Sequence, residues 1–281
     1  MNFPFTQGQL VALPTMSYFL STLAQRNAPL YYFGWACLAG ALVCAALTQL
    51  SNTQVAGLNA WGKPLKFFVS ISLFVWTMAW YLAYLGPRPA VSVYTWVVVG
   101  TLTFELLCIV GSAARGQGSH FNVSSPFHTV LFALMGVAIV VMTVWTAYIG
   151  LLFCQAPLPG LPPAYGWAIR LGIGLFVVFA LEGGLMASRL AHTVGGPDGG
   201  PGLPGLNWST RHGDLRVAHF LGMHALQVLP LLAWYGRFSV RSTELVALVY
   251  AGVAVAVFIL ALQGRPLVRR ALAASAATTA G

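Results

Sequence analysis

Charge is what this sequence has least of. Only 7% of its 281 residues are Asp, Glu, Lys or Arg, five of them acidic, while 58% belong to the apolar and aromatic set. With a mean hydropathy of +0.78, that scarcity excludes a disordered chain, which needs low hydrophobicity, and an ordinary soluble domain, in which roughly 25% of residues are charged. A CxxC pair is also missing. Cys37, Cys44, Cys108 and Cys154 each stand inside an apolar run, where they read as small buried hydrophobes, and they define no disulfide framework. The chain lacks a glycine-rich phosphate loop and a GxSxG elbow, so nucleotide-driven work by this chain alone is not expected. Its opening residues, MNFPFTQGQLVALPTM, have no basic n-region and no unbroken apolar h-region, so a cleaved signal peptide is not expected.

Long apolar runs are what the sequence has instead. Lipid offers backbone groups no hydrogen-bond partner, so a span must be a helix of roughly 20 mostly apolar residues. Seven stretches qualify, at about Ala28–Leu50, Phe67–Leu85, Val91–Val110, Phe127–Cys154, Tyr165–Ala187, Leu215–Tyr235 and Leu245–Leu262. Pro29, Pro64, Pro89, Pro126 and Pro163 fall at or near their starts, where a missing N–H costs little. The expectation is therefore an all-α polytopic membrane protein with a seven-transmembrane-helix bundle at 28–262. An N-terminal interfacial segment at 1–27 precedes it, with a short helix within residues 8–24, and a C-terminal tail at 263–281 follows.

The net charge of +9 reads as membrane orientation rather than as a nucleic-acid footprint. Counting Lys and Arg by face gives Arg26, Arg88, Arg170, Arg237 and Arg241 on one side. The other side has Lys63, Lys66, Arg115, Arg189, Arg211, Arg216, Arg265, Arg269 and Arg270. The richer face is placed in the cytoplasm, with the N-terminus outside and the C-terminus inside, in a cell inner membrane. WGKPLKF at 61–67 reads as an interfacial anchor, with the two lysines on anionic membrane lipid. Between the fifth and sixth spans, the Gly- and Pro-dense loop 193–213 excludes helix. It is either a mobile linker or an ordered lid anchored by Leu203, Leu206 and Trp208.

All six histidines fall near that same face: His120, His128, His192, His212, His219 and His224. The embedded acids agree, with Glu105 and Glu182 each within about two turns of the same end of their spans. Ionisable groups at such depth cost several kcal/mol and persist only with a partner or a task. A His/Glu site in the cytoplasmic leaflet follows, built from the third to sixth spans. Glu105 and Glu182 are the candidate catalytic groups. His128, His219, His224 and Arg216 are candidate cofactor ligands, and His219, His224, Glu105 and Glu182 are candidate metal ligands. His219 and His224 lie about 140° apart around one helix, so they do not readily share an ion. Asp214 is expected to cap the sixth span. For Glu105 and Glu182 the structural alternative is an ion pair with Arg115, Arg189 or Arg216, and for His120, His192 and His212 it is solvation in loops.

Three classes of function suit these residues. The first is redox: haem b held by His128 with His219 or His224, or a transition metal (iron, copper or zinc), in an oxidoreductase acting on an apolar or quinone-like small molecule. The second is a zinc-dependent membrane lipid hydrolase. In span count and one-sided histidines the chain resembles the adiponectin-receptor and alkaline-ceramidase group, whose paired HxxxH is absent here. The third is a proton-coupled transporter, or a structural subunit of a membrane complex with protein partners. A retinal photoreceptor is disfavoured because the seventh span has no lysine for a Schiff base.

Overall fold

A computed structural model describes residues 15–268; the first part of the expected N-terminal segment and most of the expected C-terminal tail lie outside the described residues. A short helix, α1 (Met16–Arg26), leads into seven helices that, among the described residues, are long and apolar enough to cross a membrane. These are α2 (Ala28–Leu50), α3 (Gly62–Leu82, prolonged by a 3-10 turn at Ala83–Leu85), α4 (Pro89–Ala114), α5 (Pro126–Gln155), α6 (Pro163–Arg189), α7 (Leu215–Tyr235) and α8 (Val240–Leu262). The protein is an all-α bundle of a polytopic membrane protein. Four of its five expected prolines sit in the first two helical positions of α2, α4, α5 and α6, where no intrahelical bond is lost. Side chains complete several starts: Asn27 accepts from the Leu30 N–H, Ser125 from His128 and Ser239 from Ser242.

Neighbours in sequence pack together, with the closest pairings between α6 and α7 and between α2 and α3. Glycine makes the first of these possible. A Cβ on Gly172 would come 2.9 Å from the Ala225 carbonyl, and one on Gly222 would enter the Phe179 ring. Pro230, inside α7, deprives the Leu226 carbonyl of its intrahelical donor. The buried Tyr81 hydroxyl of α3 donates to that carbonyl instead, at 2.9 Å.

Two small antiparallel pairs lie on the face where α3, α5 and α7 begin. β1 (Gln54–Val55) pairs with β2 (Leu58–Asn59), and β3 (Thr193–Val194) pairs with β4 (Gly213–Asp214). The second pair closes the base of the Gly- and Pro-dense loop. Farther out, Gly202 bridges to Ser209 and the Leu203 N–H bonds the Trp208 carbonyl. The segment, called the lid below, is therefore a hydrogen-bonded loop rather than a bare linker. Trp208 anchors it against Phe220 (ring centroids 5.4 Å apart), whereas Leu206 is exposed and anchors nothing.

Candidate functional site

The site-bearing face gathers side chains from α3, α4, α6 and α7 and from the two loops above them. Glu182 lies about two turns before the end of α6 and His219 in the second turn of α7. His219 Nδ1 approaches Glu182 Oε2 to 3.2 Å, the imidazole 25% and the carboxylate 7% exposed. The contact is electrostatic rather than an aligned hydrogen bond, because neither Nδ1 nor either carboxylate oxygen has a hydrogen-bond partner. Gly183 makes room for it, since a Cβ there would stand 3.2 Å from the His219 ring. Gly183, but not Gly184, thus brings the two helices close enough for their polar side chains to meet.

Glu105 is set apart from that pair. It is 2% exposed, and both its oxygens are buried without a hydrogen-bond partner. Lys63, in the first turn of α3, lies within electrostatic reach of Glu105, of His120 and of Arg216. Neither acid forms the arginine pair that the sequence allowed. Arg115 donates to the Gly111 carbonyl, and Arg216 holds Asp214 at 2.7 Å and the Asn207 carbonyl at 2.6 Å.

The lid is tied down by carboxylates. Asp198 accepts from the backbone N–H groups of His192 (3.2 Å) and Thr193 (2.8 Å), and His192 Nδ1 lies 3.1 Å from Asp198 and 4.0 Å from Asp214. Asp214 accepts from Ser209 N–H and caps α7 through Arg216 N–H, as expected of it. Burial alone would push the Asp214 carboxyl up, but the hydrogen bonds and charge of Arg216, with smaller help from Ser209 and His192, hold it below the ordinary carboxylate value. Burial, and then the Arg216 charge, holds His192 below its ordinary value despite the two aspartates.

His120 is not the solvated loop residue the sequence suggested. Its ring packs 5.7 Å from Phe67 and 6.2 Å from Phe132, with Nδ1 3.1 Å from the Ser119 hydroxyl. Burial, reinforced by the Lys63 charge, pushes it down to about 3. Next to it, Phe121 adopts φ +59, a region that bulky side chains rarely enter. In that conformation it lies between the rings of Phe132 (5.7 Å) and His192 (6.4 Å), joining the α4–α5 loop to the lid. No motif announced this wedge.

The remaining candidates stand elsewhere. His128 has both ring nitrogens engaged, Nδ1 with Ser125 at 2.7 Å and Nε2 with Gln117 at 3.0 Å. His224 turns Nδ1 onto the Phe220 carbonyl of its own helix at 2.8 Å. No contact among the described residues joins His128 to His219 or His224, and a haem sandwich between them would need His128 to give up a bond. Among the described residues, no group of three or more His, Cys, Asp or Glu side chains is arranged to hold a metal ion together. In comparisons with known protein families, curated proteins and solved structures, the chain matches none.

Proposed function

We propose that this protein is a proton-coupled transporter of the cell inner membrane, with its N-terminus outside and its C-terminus in the cytoplasm. In this reading His219 takes protons from the cytoplasmic side and exchanges them with Glu182 behind it. The observation that carries the reading is the 3.2 Å approach of a partly exposed imidazole and an almost fully buried carboxylate, both inside membrane spans. Imidazole and carboxylate are the side chains that build proton relays in membranes. A poorly aligned contact with unpartnered atoms on each side suits a pair that must both hold and release a proton.

Infrared difference spectroscopy of the purified protein between about pH 5 and about pH 8 tests it. One carboxylic acid C=O band should be lost in Glu182→Gln and shifted in His219→Ala, with the contribution of the buried Glu105 unchanged. A wild-type spectrum whose carboxyl bands are untouched by either substitution would overturn the reading.

A redox or hydrolytic metal site at the same pair is the second reading, and the same distance favours it. Two atoms that each lie about 2.0–2.2 Å from one ion stand close to 3 Å apart and need no hydrogen-bond alignment. His219 and Glu182 would hold the ion, which would supply Lewis-acid or redox chemistry when bound. Elemental analysis distinguishes the readings: retained iron, copper or zinc, lost in both variants, supports the metal.

A further inference from the structure

Glu105 poses a problem that the His219–Glu182 pair does not solve. A carboxyl group buried without a hydrogen bond forfeits its hydration and gains nothing in return, a cost of kcal/mol size. Lys63 is the cation within electrostatic reach, yet it does not close on Glu105, whose oxygens both stay unpartnered. Its ammonium instead lies 5.8 Å from the centre of the Phe67 ring. Phe67 packs against the cluster of Cys108, Ile109 and Met135, whose α4 members share a helix face with Glu105, and against the main core, and its ring also neighbours that of His120. Phe67, His120, Phe132 and Phe121 then follow one another at centroid spacings of 5.7, 6.2 and 5.7 Å, a continuous aromatic wall.

A group that satisfies both partners must donate to an acceptor-only carboxylate and accept from a donor-only ammonium. Hydroxyl does both; a carbonyl or ether only accepts, and an ammonium only donates. The wall selects what carries the hydroxyl, because ring edges and faces pack on aromatic side chains in stacked or edge-on geometry. We propose that the corner between α3, α4 and the start of α5 binds a hydroxylated aromatic ring of the phenol or quinol class, its hydroxyl between Glu105 and Lys63. As the cargo of the transporter, this ligand rests on the proton-coupled reading; as a binding site, it stands without it.

The test is calorimetric titration of the full chain in lipid nanodiscs with 1-naphthol and with 1-methoxynaphthalene, each corrected against empty discs. The two probes share the ring and differ in the donor hydrogen. Naphthol should bind about tenfold more tightly, the effect of one hydrogen bond to a charged group. Glu105→Ala should erase the preference. Lys63→Met, at a less buried position than Glu105, should reduce it even if the Glu105 variant does not fold. His219→Ala and Glu182→Gln should leave it intact whatever they do to the infrared bands, which separates this site from the proton pair. Equal binding of the two probes, binding of neither, or a preference lost in the His219 and Glu182 variants but kept in Glu105→Ala would overturn the assignment.

Discussion

Pro230 removes the N–H that the Leu226 carbonyl of α7 would accept, and the Tyr81 hydroxyl takes its place. Tyr81→Phe should therefore leave a buried carbonyl unpaired and cost about 1–3 kcal/mol. Adding Pro230→Ala, which restores the N–H, should recover most of it; unfolding in detergent of the two single variants and the double gives the coupling energy, and strict additivity would show that the hydroxyl does not serve this carbonyl. The same accounting separates the two embedded acids. Glu182 has His219 at 3.2 Å, whereas Glu105 has only a cation at a distance. Both were legible as expensive residues at one depth. Their partners were not, because the partner of each lies on a different helix and spacing along one chain does not encode it.

Order in the lid comes from Asp198, which gathers two backbone N–H groups, and from Asp214, which ties Ser209, Arg216 and the start of α7 to one carboxylate. Asp198→Ala should raise hydrogen exchange at the His192 and Thr193 amides about tenfold or more, with little change in the α6–α7 core. A second prediction concerns pH. Asp214 and His192 are both held below their ordinary values. Each therefore contributes stability that is complete above its unfolded value, about 3.9 for the carboxyl and about 6.5 for the imidazole, and that is lost as pH falls from there through the folded value. Lid exchange, corrected for its intrinsic rate, should be flat above about pH 7 and should rise on acidification below about pH 6.5. His192→Gln should remove the upper part of that rise; an unchanged profile would show that the imidazole does not couple to the lid. Composition excluded helix from this loop but left linker and lid both open, since glycine and proline say what a chain will not form and the ordering bonds come from far along it.

The bundle as a whole places Arg88 and Arg211 on opposite, exposed faces. Cys154, unlike the other three cysteines, is exposed, so in a Cys154→Ser background the charge bias predicts that a membrane-impermeant maleimide added to intact cells labels Arg88→Cys and spares Arg211→Cys, because positively charged loops are retained in the cytoplasm. The reverse pattern would invert the orientation. The seven spans were determined by sequence alone, several of them to within a residue or two, because crossing a membrane is a local demand: a bilayer's thickness in residues, apolar throughout, with proline tolerated at the entry. Rotation of each helix and the choice of its neighbours were decided only in three dimensions. Lipid is as apolar as the core, so a span such as α8 is apolar all round beyond its first two turns and carries no pattern that marks the inward face. What turns α6 and α7 toward each other is close packing at Gly172, Gly183 and Gly222. That packing brings His219 to Glu182, while His128, in the first turn of α5, stays bonded to its own loop.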